Sequence, residues 1–220
     1  MKLAPLGLLL CLILNNCTPP AREEEQKDVL AYRLDTLNKI QGDCAANNCI
    51  NATIIYPDFS GTDAAETIDR EVKSLIYTDI LIDSVRYSSM THTELVNLLL
   101  KEYQDAKAEF GGSDLNFEYN ITGQVTYQGA SFWSVYFNVY TYTGGAHPMS
   151  YQKFLNIDPE TGEEINIKEY LTNQDALKRR IEETIRKQHD LNMDQPWSEI
   201  FFTDRFEWPE QMGLTNNGLM

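Results

Sequence analysis

Apolar residues recur along this chain in several different rhythms, and each rhythm predicts a different element. Lys2 precedes the run Leu6-Gly7-Leu8-Leu9-Leu10-Cys11-Leu12-Ile13-Leu14, which is too short to span a bilayer comfortably and reads as a signal peptide. Over residues 28–40, Val29, Leu30, Leu34, Leu37 and Ile40 fall at helical spacing, but the segment is short and a polar stretch follows, so it reads as a helix or a strand. Residues 50–56 alternate and are β-branched, which predicts a strand ended by Pro57. Asp63 with Glu66 caps a helix carrying Ile68, Val72, Leu75, Ile76 and Ile80, running to about Ser84. Thr91 with Glu94 opens another, bearing Leu95, Leu98, Leu99, Tyr103, Ala106 and Phe110 and closed by Gly111-Gly112.

After Gly112 the period falls to two. Strands are expected at about 115–122, 124–129, 132–143, 149–157 and 163–168, an antiparallel meander whose last two members are joined by the turn Asp158-Pro159-Glu160-Thr161-Gly162. In the third of these, Trp133, Val135, Phe137 and Val139 share one side and Tyr136, Tyr140 and Tyr142 the other. Thr172 with Asp175 caps a final helix bearing Leu177, Ile181 and Ile185. The expectation is an α+β fold, an antiparallel sheet meander with helices packed on one face, in two lobes of one unit. The division reads 1–16 signal peptide, 17–45 tether and connecting segment, 46–112 strand-helix-helix lobe, and 113–220 sheet lobe with a C-terminal helix.

Composition agrees with a folded domain: 42% of the 220 residues are apolar and 23% charged. With 18 Lys and Arg against 33 Asp and Glu the net charge is −15, and a surface this anionic repels phosphate backbones, so nucleic acid is excluded as a partner. Four cysteines are too few for a disulfide-built scaffold. Cys44 and Cys49, with four residues between them in an exported chain, predict a local disulfide. A zinc site there would need two more ligands, and His92, His147 and His189 stand singly, so no metal or cofactor is expected.

Leu14-Asn15-Asn16-Cys17 resembles a bacterial lipobox, in which the Cys17 thiol receives diacylglycerol and becomes the new N-terminus. Asn16 stands where Gly, Ala or Ser is usual, a looseness familiar in the Bacteroidetes. The alternative is a leader cut elsewhere with Cys17 an ordinary thiol; Cys11, behind bulky Leu10, is the poorer lipidation candidate. Either way the mature chain leaves the cytoplasm, and the lipidated form is expected as an outer-membrane lipoprotein, periplasmic or surface-exposed. The stretch 18–27, with two prolines and Glu23-Glu24-Glu25, reads as a solvated tether and resembles the acidic signal that sends some such lipoproteins to the cell surface.

Tyr140-Thr141-Tyr142-Thr143-Gly144-Gly145-Ala146-His147-Pro148, followed by Leu155-Asn156-Ile157-Asp158 and Thr161-Gly162, resembles the extracytoplasmic domain of RsiV-type anti-sigma factors. That domain is shared with the non-catalytic N-terminal part of PdaC peptidoglycan deacetylases. Together with Cys49 to Pro57 and the two helices after it, the resemblance spans about 46–212. It implies an α+β fold and a family of largely uncharacterised envelope lipoproteins, of which the best-understood type senses lysozyme by binding it. It also implies departures: the cytoplasmic sigma-binding region and transmembrane helix of RsiV-like proteins have no counterpart here. Members continue past the position of Asn217–Met220 into a further aromatic strand, so the chain is expected to be truncated at its C-terminus.

His147, in its Gly-rich loop with Asp158 downstream, is the candidate general base of a peptidoglycan hydrolase. No Gly-x-Ser-x-Gly elbow or His-Glu-x-x-His accompanies it, and a structural loop histidine is the plainer reading. Tyr136, Tyr140 and Tyr142, with Tyr127 and Tyr151, are candidates for an aromatic platform that stacks sugars or anchors a protein, against the reading that helices cover that face, and His147 is a further candidate binding residue. Removal of residues 1–16 takes away Lys2 and leaves −16, which would steer a cationic protein such as lysozyme towards the domain. Asn51-Ala52-Thr53 and Asn120-Ile121-Thr122 match a glycosylation pattern that is incidental in a bacterial lipoprotein. The sequence thus points to a membrane-anchored, non-catalytic binding domain for lysozyme or a cell-wall glycan, with a hydrolase and an envelope scaffold as alternatives.

Overall fold

From residue 31 onward the ambiguous segment is a strand. In the computed structural model, which describes residues 29–80, 90–110, 114–199 and 201–220, β1 (Ala31–Asp43) runs antiparallel to β2 (Asn48–Ser60), from Ala31 opposite Ser60 to Asp43 opposite Asn48. Leu30 and Leu37 are buried, whereas Val29, Leu34 and Ile40 remain exposed, so the helical spacing of these five never serves a single face. The hairpin is closed by Asp43 Oδ1, which accepts from the amides of Ala45 and Ala46, by left-handed Asn47, and by a Cys44–Cys49 disulfide. Gly42 takes a φ of 97°, and a Cβ there would stand 2.3 Å from the Asn48 carbonyl oxygen. Residues 31–43 are therefore part of the sheet, not connecting segment.

β2 does not stop at Pro57. Its pairing with the next strand ends at Ile55 opposite Thr122, so beyond that point it has a neighbour only on the β1 side and a residue without an amide proton is tolerated. The chain then makes α1 (Ala64–Ile80) and α2 (His92–Phe110). The expected capping box forms at α2: Thr91 Oγ1 accepts from the Glu94 amide (3.3 Å) and Glu94 Oε2 from the Thr91 amide (2.7 Å). The two helices lead to β3 (Asn116–Gln128) running parallel to β2, the one parallel pairing among the described residues.

β3, β4 (Trp133–Thr143) and β5 (Met149–Ile157) form the expected antiparallel meander, giving the order β1-β2-β3-β4-β5. The break expected at Gly123 is absent. Gly123 lies opposite Phe137, and a Cβ there would come within 2.5 Å of that ring, so the glycine makes room for a cross-strand aromatic within one continuous strand. The strand expected at 163–168 is reduced to a bridge between Ile157 and Glu164, followed by a helical turn at Ile167–Tyr170. The last helix, α3 (Gln174–Gln188), is capped by Asn173 rather than Thr172, its Oδ1 accepting from the Ala176 amide. A small hairpin, β6 (Leu214–Thr215) with β7 (Gly218–Leu219), ends the chain.

The β2–β3 pairing runs one sheet through both expected lobes. Its core face carries Ile50, Ala52 and Ile54 of β2, Tyr119 and Ile121 of β3, Val135, Phe137 and Val139 of β4, and Leu155 and Ile157 of β5. Ile68, Val72 and Ile76 of α1 and Leu95, Leu99 and Tyr103 of α2 close over them in the same cluster. The leader, Cys17, the tether, the end of α1 near Ser84 and the Gly111-Gly112 cap lie outside the described residues. Among the described residues no helix is long and apolar enough to cross a membrane.

Candidate functional site

The face of the sheet opposite α1 and α2 is built of polar rows. Because paired residues share a face, the register fixes their composition: Asn38, Thr53, Asn120, Tyr140 and Ser150 form one row, and Thr36, Ile55, Thr122, Asn138 and Gln152 the next. Ile40, Asn51, Glu118 and Tyr142 form a third. Asn38, Asn120, Thr122, Asn138, Ser150 and Gln152 are exposed, and Tyr136, Tyr140 and Tyr142 half-buried. Three tyrosine rings thus rise along β4 from a carpet of amides and hydroxyls. Asn51 Oδ1 is buried there without a hydrogen-bond partner.

One end of this face is covered. Ser134 and Asn156, paired across β4 and β5, are buried and joined Oγ to Oδ1 (2.7 Å); Asn156 Nδ2 donates to the Met212 carbonyl and the Leu214 amide to Ser134 Oγ. Phe154 lies beneath this segment with Tyr136 at 5.2 Å between ring centres, and Gly213 is so close that a Cβ would stand 2.0 Å from the Phe154 ring. The C-terminal segment therefore leaves Tyr140 and Tyr142 at the open end and seats Tyr136 at its border.

The other two tyrosines do not join them. Tyr151 pairs with Val139 and packs on the helix-covered core, while the bulge at Val125/Tyr127 sends Tyr127 against Phe132 in a second apolar cluster with Ile167 and Met212. His147 lies exposed in the β4–β5 loop, its Nδ1 3.3 Å from the Pro148 carbonyl oxygen, with Gly144 at a φ of 79° and no positive φ at Gly145. Asp158 is at the opposite end of β5, a strand of nine residues and about 30 Å. Its Oδ1 accepts from the Glu160 and Thr161 amides, and its carbonyl from Gly162 at a φ of 77°. The pair invoked for a hydrolase is thereby separated, and Asn156 and Asp158, the strand-end pattern, have structural partners.

A second polar group, unforeseen as a unit, lies under the helices. Asp35 and Tyr56 are cross-strand partners, and the Tyr56 hydroxyl is 3.4 Å from Asp35 Oδ2 and within 2.8 Å of the His92 ring nitrogens at the start of α2. Burial holds the His92 imidazole below its ordinary pKa, with the Asp35 carboxylate pulling the other way. His92 borders a cleft of about 860 Å³ with Thr62, Asp69, Arg70, Lys73 and Met90. Asp69 accepts from the Phe59 amide (2.8 Å), and burial raises its carboxyl pKa, reinforced by Asp58, which Arg33 pairs at 2.9 Å. Among the described residues no group of three His, Cys, Asp or Glu could hold a metal ion.

Tyr136, Tyr140 and Tyr142 were legible from alternation in β4 alone. The amide and hydroxyl rows were missed, although Asn116, Glu118, Asn120, Thr122 and Gln124 alternate just as plainly in β3. His92 could be found only by folding.

Residues 44–150 match the family described as Deacetylase PdaC, and over this segment the PdaC-like resemblance holds. The fold is similar to the crystal structure of a DUF3298 family protein from Pseudomonas aeruginosa PAO1, at 16% identity over 88% of this chain and 82% of that one, TM-score 0.58. A DUF3298 family member from Bacteroides fragilis is similar at 17% identity over 76% and 73%, TM-score 0.51. These two likenesses concern the fold. No curated protein sequence matches the chain.

Proposed function

From the premise that residues 44–150 are a PdaC-like segment, we propose that the protein is a cell-envelope lipoprotein, acylated at Cys17, whose open sheet face binds a cell-wall glycan without turning it over. The tyrosine ladder of β4 carries this reading. Sugar rings offer C–H faces to aromatic rings and hydroxyls to amides, and Tyr140 and Tyr142 stand among Asn120, Asn138, Ser150 and Gln152 in that combination. Turnover through His147 and Asp158 has no support, since β5 separates them. The test is retention on insoluble peptidoglycan: Tyr140→Ala with Tyr142→Ala is expected to weaken it about tenfold at an unchanged melting temperature. Undiminished retention by the double variant discards the reading. For the anchor, labelled palmitate should incorporate into the wild type and not into Cys17→Ser; an unlabelled wild type in the cytosol discards it.

The net charge of −15 favours a second reading, capture of a cationic protein such as lysozyme. That capture would fall steeply with added salt, whereas stacking on a neutral sugar would not. Absence of hen lysozyme binding at low ionic strength removes it.

A further inference from the structure

α3 concentrates positive charge in an anionic chain. Lys178, Arg179, Arg180, Arg186 and Lys187 are five of the 18 basic residues, within a helix of 15, in a chain of net charge −15. Arg186 is committed internally: its guanidinium bonds Glu182 Oε1 (3.1 Å) and the carbonyls of Asn192 and Gln195, and lies 4.4 Å over the Trp197 ring. This pins an aromatic segment to the helix, with Trp197 packed at a tilt against Phe201 and Phe206 and Lys178 Nζ over Phe206. Arg179, Arg180 and Lys187 are instead exposed along one recess of α3, three cations to the single carboxylate of Glu183, and none is in an ion pair among the described residues.

That cationic recess is continuous with apolar surface. Arg180 and Thr184 also border a groove of about 600 Å³ beside Leu177, Ile181, Leu219 and Met220. Ile185 and Pro209 then lead from this groove into a recess of about 440 Å³ lined by Phe201, Phe202 and Phe206. The apolar stripe of α3, Leu177, Ile181 and Ile185, is only half-buried, and Phe202 stands wholly clear of the chain at 110% relative exposure. A protruding phenylalanine and an unfilled apolar groove with unpaired Arg180 at its edge are features of a surface that lies in a lipid headgroup layer. A yielding phase accommodates a projecting side chain that a rigid partner would need a matched pocket to receive.

We propose that this surface docks on an anionic membrane, Arg179, Arg180 and Lys187 meeting lipid phosphates while Phe201, Phe202 and the α3 groove enter the headgroup–acyl boundary. The proposal rests on the envelope reading, in which the chain works beside a membrane. With Asp175, Glu182 and Glu183 counted against its five basic residues α3 carries 5 − 3 = +2 in a chain of −15, so the same field that attracts this helix repels the rest, and the contact orients the domain. A lipid tether would hold the surface at high local concentration, so a weak contact suffices.

The test is co-sedimentation of the full chain with phosphatidylcholine vesicles with and without phosphatidylglycerol. The leader is common to all arms. Phosphatidylglycerol is expected to raise binding about tenfold and salt to reverse the gain. Arg179→Glu with Arg180→Glu and Lys187→Glu should abolish the gain, and Phe202→Ser should reduce both it and the quenching of tryptophan by brominated lipid. Equal binding to both vesicle types overturns the proposal, as does an unaltered triple variant. A dimer in lipid-free solution that Phe202→Ser dissociates would overturn it by assigning the surface to a second copy. Loss of the vesicle effect with palmitate incorporation intact sinks this inference alone, whereas absent palmitate sinks the envelope reading.

Discussion

Phe137 and Asn138 are neighbours in β4 and belong to different environments. Phe137 is fully buried under α1 and α2 among Ile121, Val139 and other apolar side chains; Asn138 is exposed between Thr122 and Gln152. The helix-covered face is assembled by burial of apolar area, in which each side chain is constrained by those packed on it. The open face contributes little burial beyond the sheet itself, yet it holds its three tyrosines in fixed register. A surface so ordered, and so little needed for stability, is free to serve binding.

The sharpest way to break this comparison is to substitute the two neighbours in turn. Phe137→Ala is expected to cost about 3–5 kcal/mol, and Asn138→Ala no more than about 0.5 kcal/mol, read as shifts in urea midpoint at constant slope. Similar costs would mean that the open face is covered and structural.

A smaller effect tests where the open face ends. Gly213→Ala places a Cβ 2.0 Å from the Phe154 ring and should cost about 1–3 kcal/mol while loosening the C-terminal cover. Faster hydrogen exchange at the Phe154 amide, which donates to Gln211 Oε1, would report the loosening; unaltered exchange would show that the cover is held by the Ser134–Asn156 contacts alone.

At the sheet's end, removal of the Cys44–Cys49 disulfide by Ser substitution should cost about 2 kcal/mol, the value for closing so short a loop. Because the bond ties β1 to β2 at the end of the open face, where Cys49 lies beside Asn116 and beyond the row of Asn51, Glu118 and Tyr142, glycan retention should persist. If retention is lost with it, the open face depends on the β1 edge.

The smallest expected effect is pH dependence on the covered side. Burial lowers the folded pKa of His92 below its ordinary 6.5, so the unfolded chain binds the proton more readily. The stability this neutral imidazole contributes is present above about pH 6.5 and lost as pH falls through the depressed folded value. His92→Gln should therefore flatten the decline of the urea midpoint between about pH 7 and 5, measured as the difference from wild type so that Asp69 and other carboxylates cancel. Superimposable profiles would show that His92 does not titrate in this range.

Alternation and capping made most elements legible. The Thr91–Glu94 box, the helical stripes of α1 and α2, and the face assignment within β4 follow from residues close together in sequence, where period and cap chemistry are local. β1 was ambiguous because a strand with one exposed face and few buried residues leaves almost no period: only Leu37 of its apolar residues reaches the core. Gly123 suggested a break because the ring it accommodates lies on another strand.

The amino-acid sequence by itself determined an α+β chain, the tyrosines on one side of β4, and a short-range disulfide, since each depends on spacing within one segment. Tertiary structure alone decided that β2 and β3 pair in parallel, that Tyr127 and Tyr151 leave the platform while Asn38, Thr53 and Asn120 join it, and that His147 and Asp158 stand apart. Those outcomes are fixed by register and crossover, which arise from contacts between residues far apart in the chain.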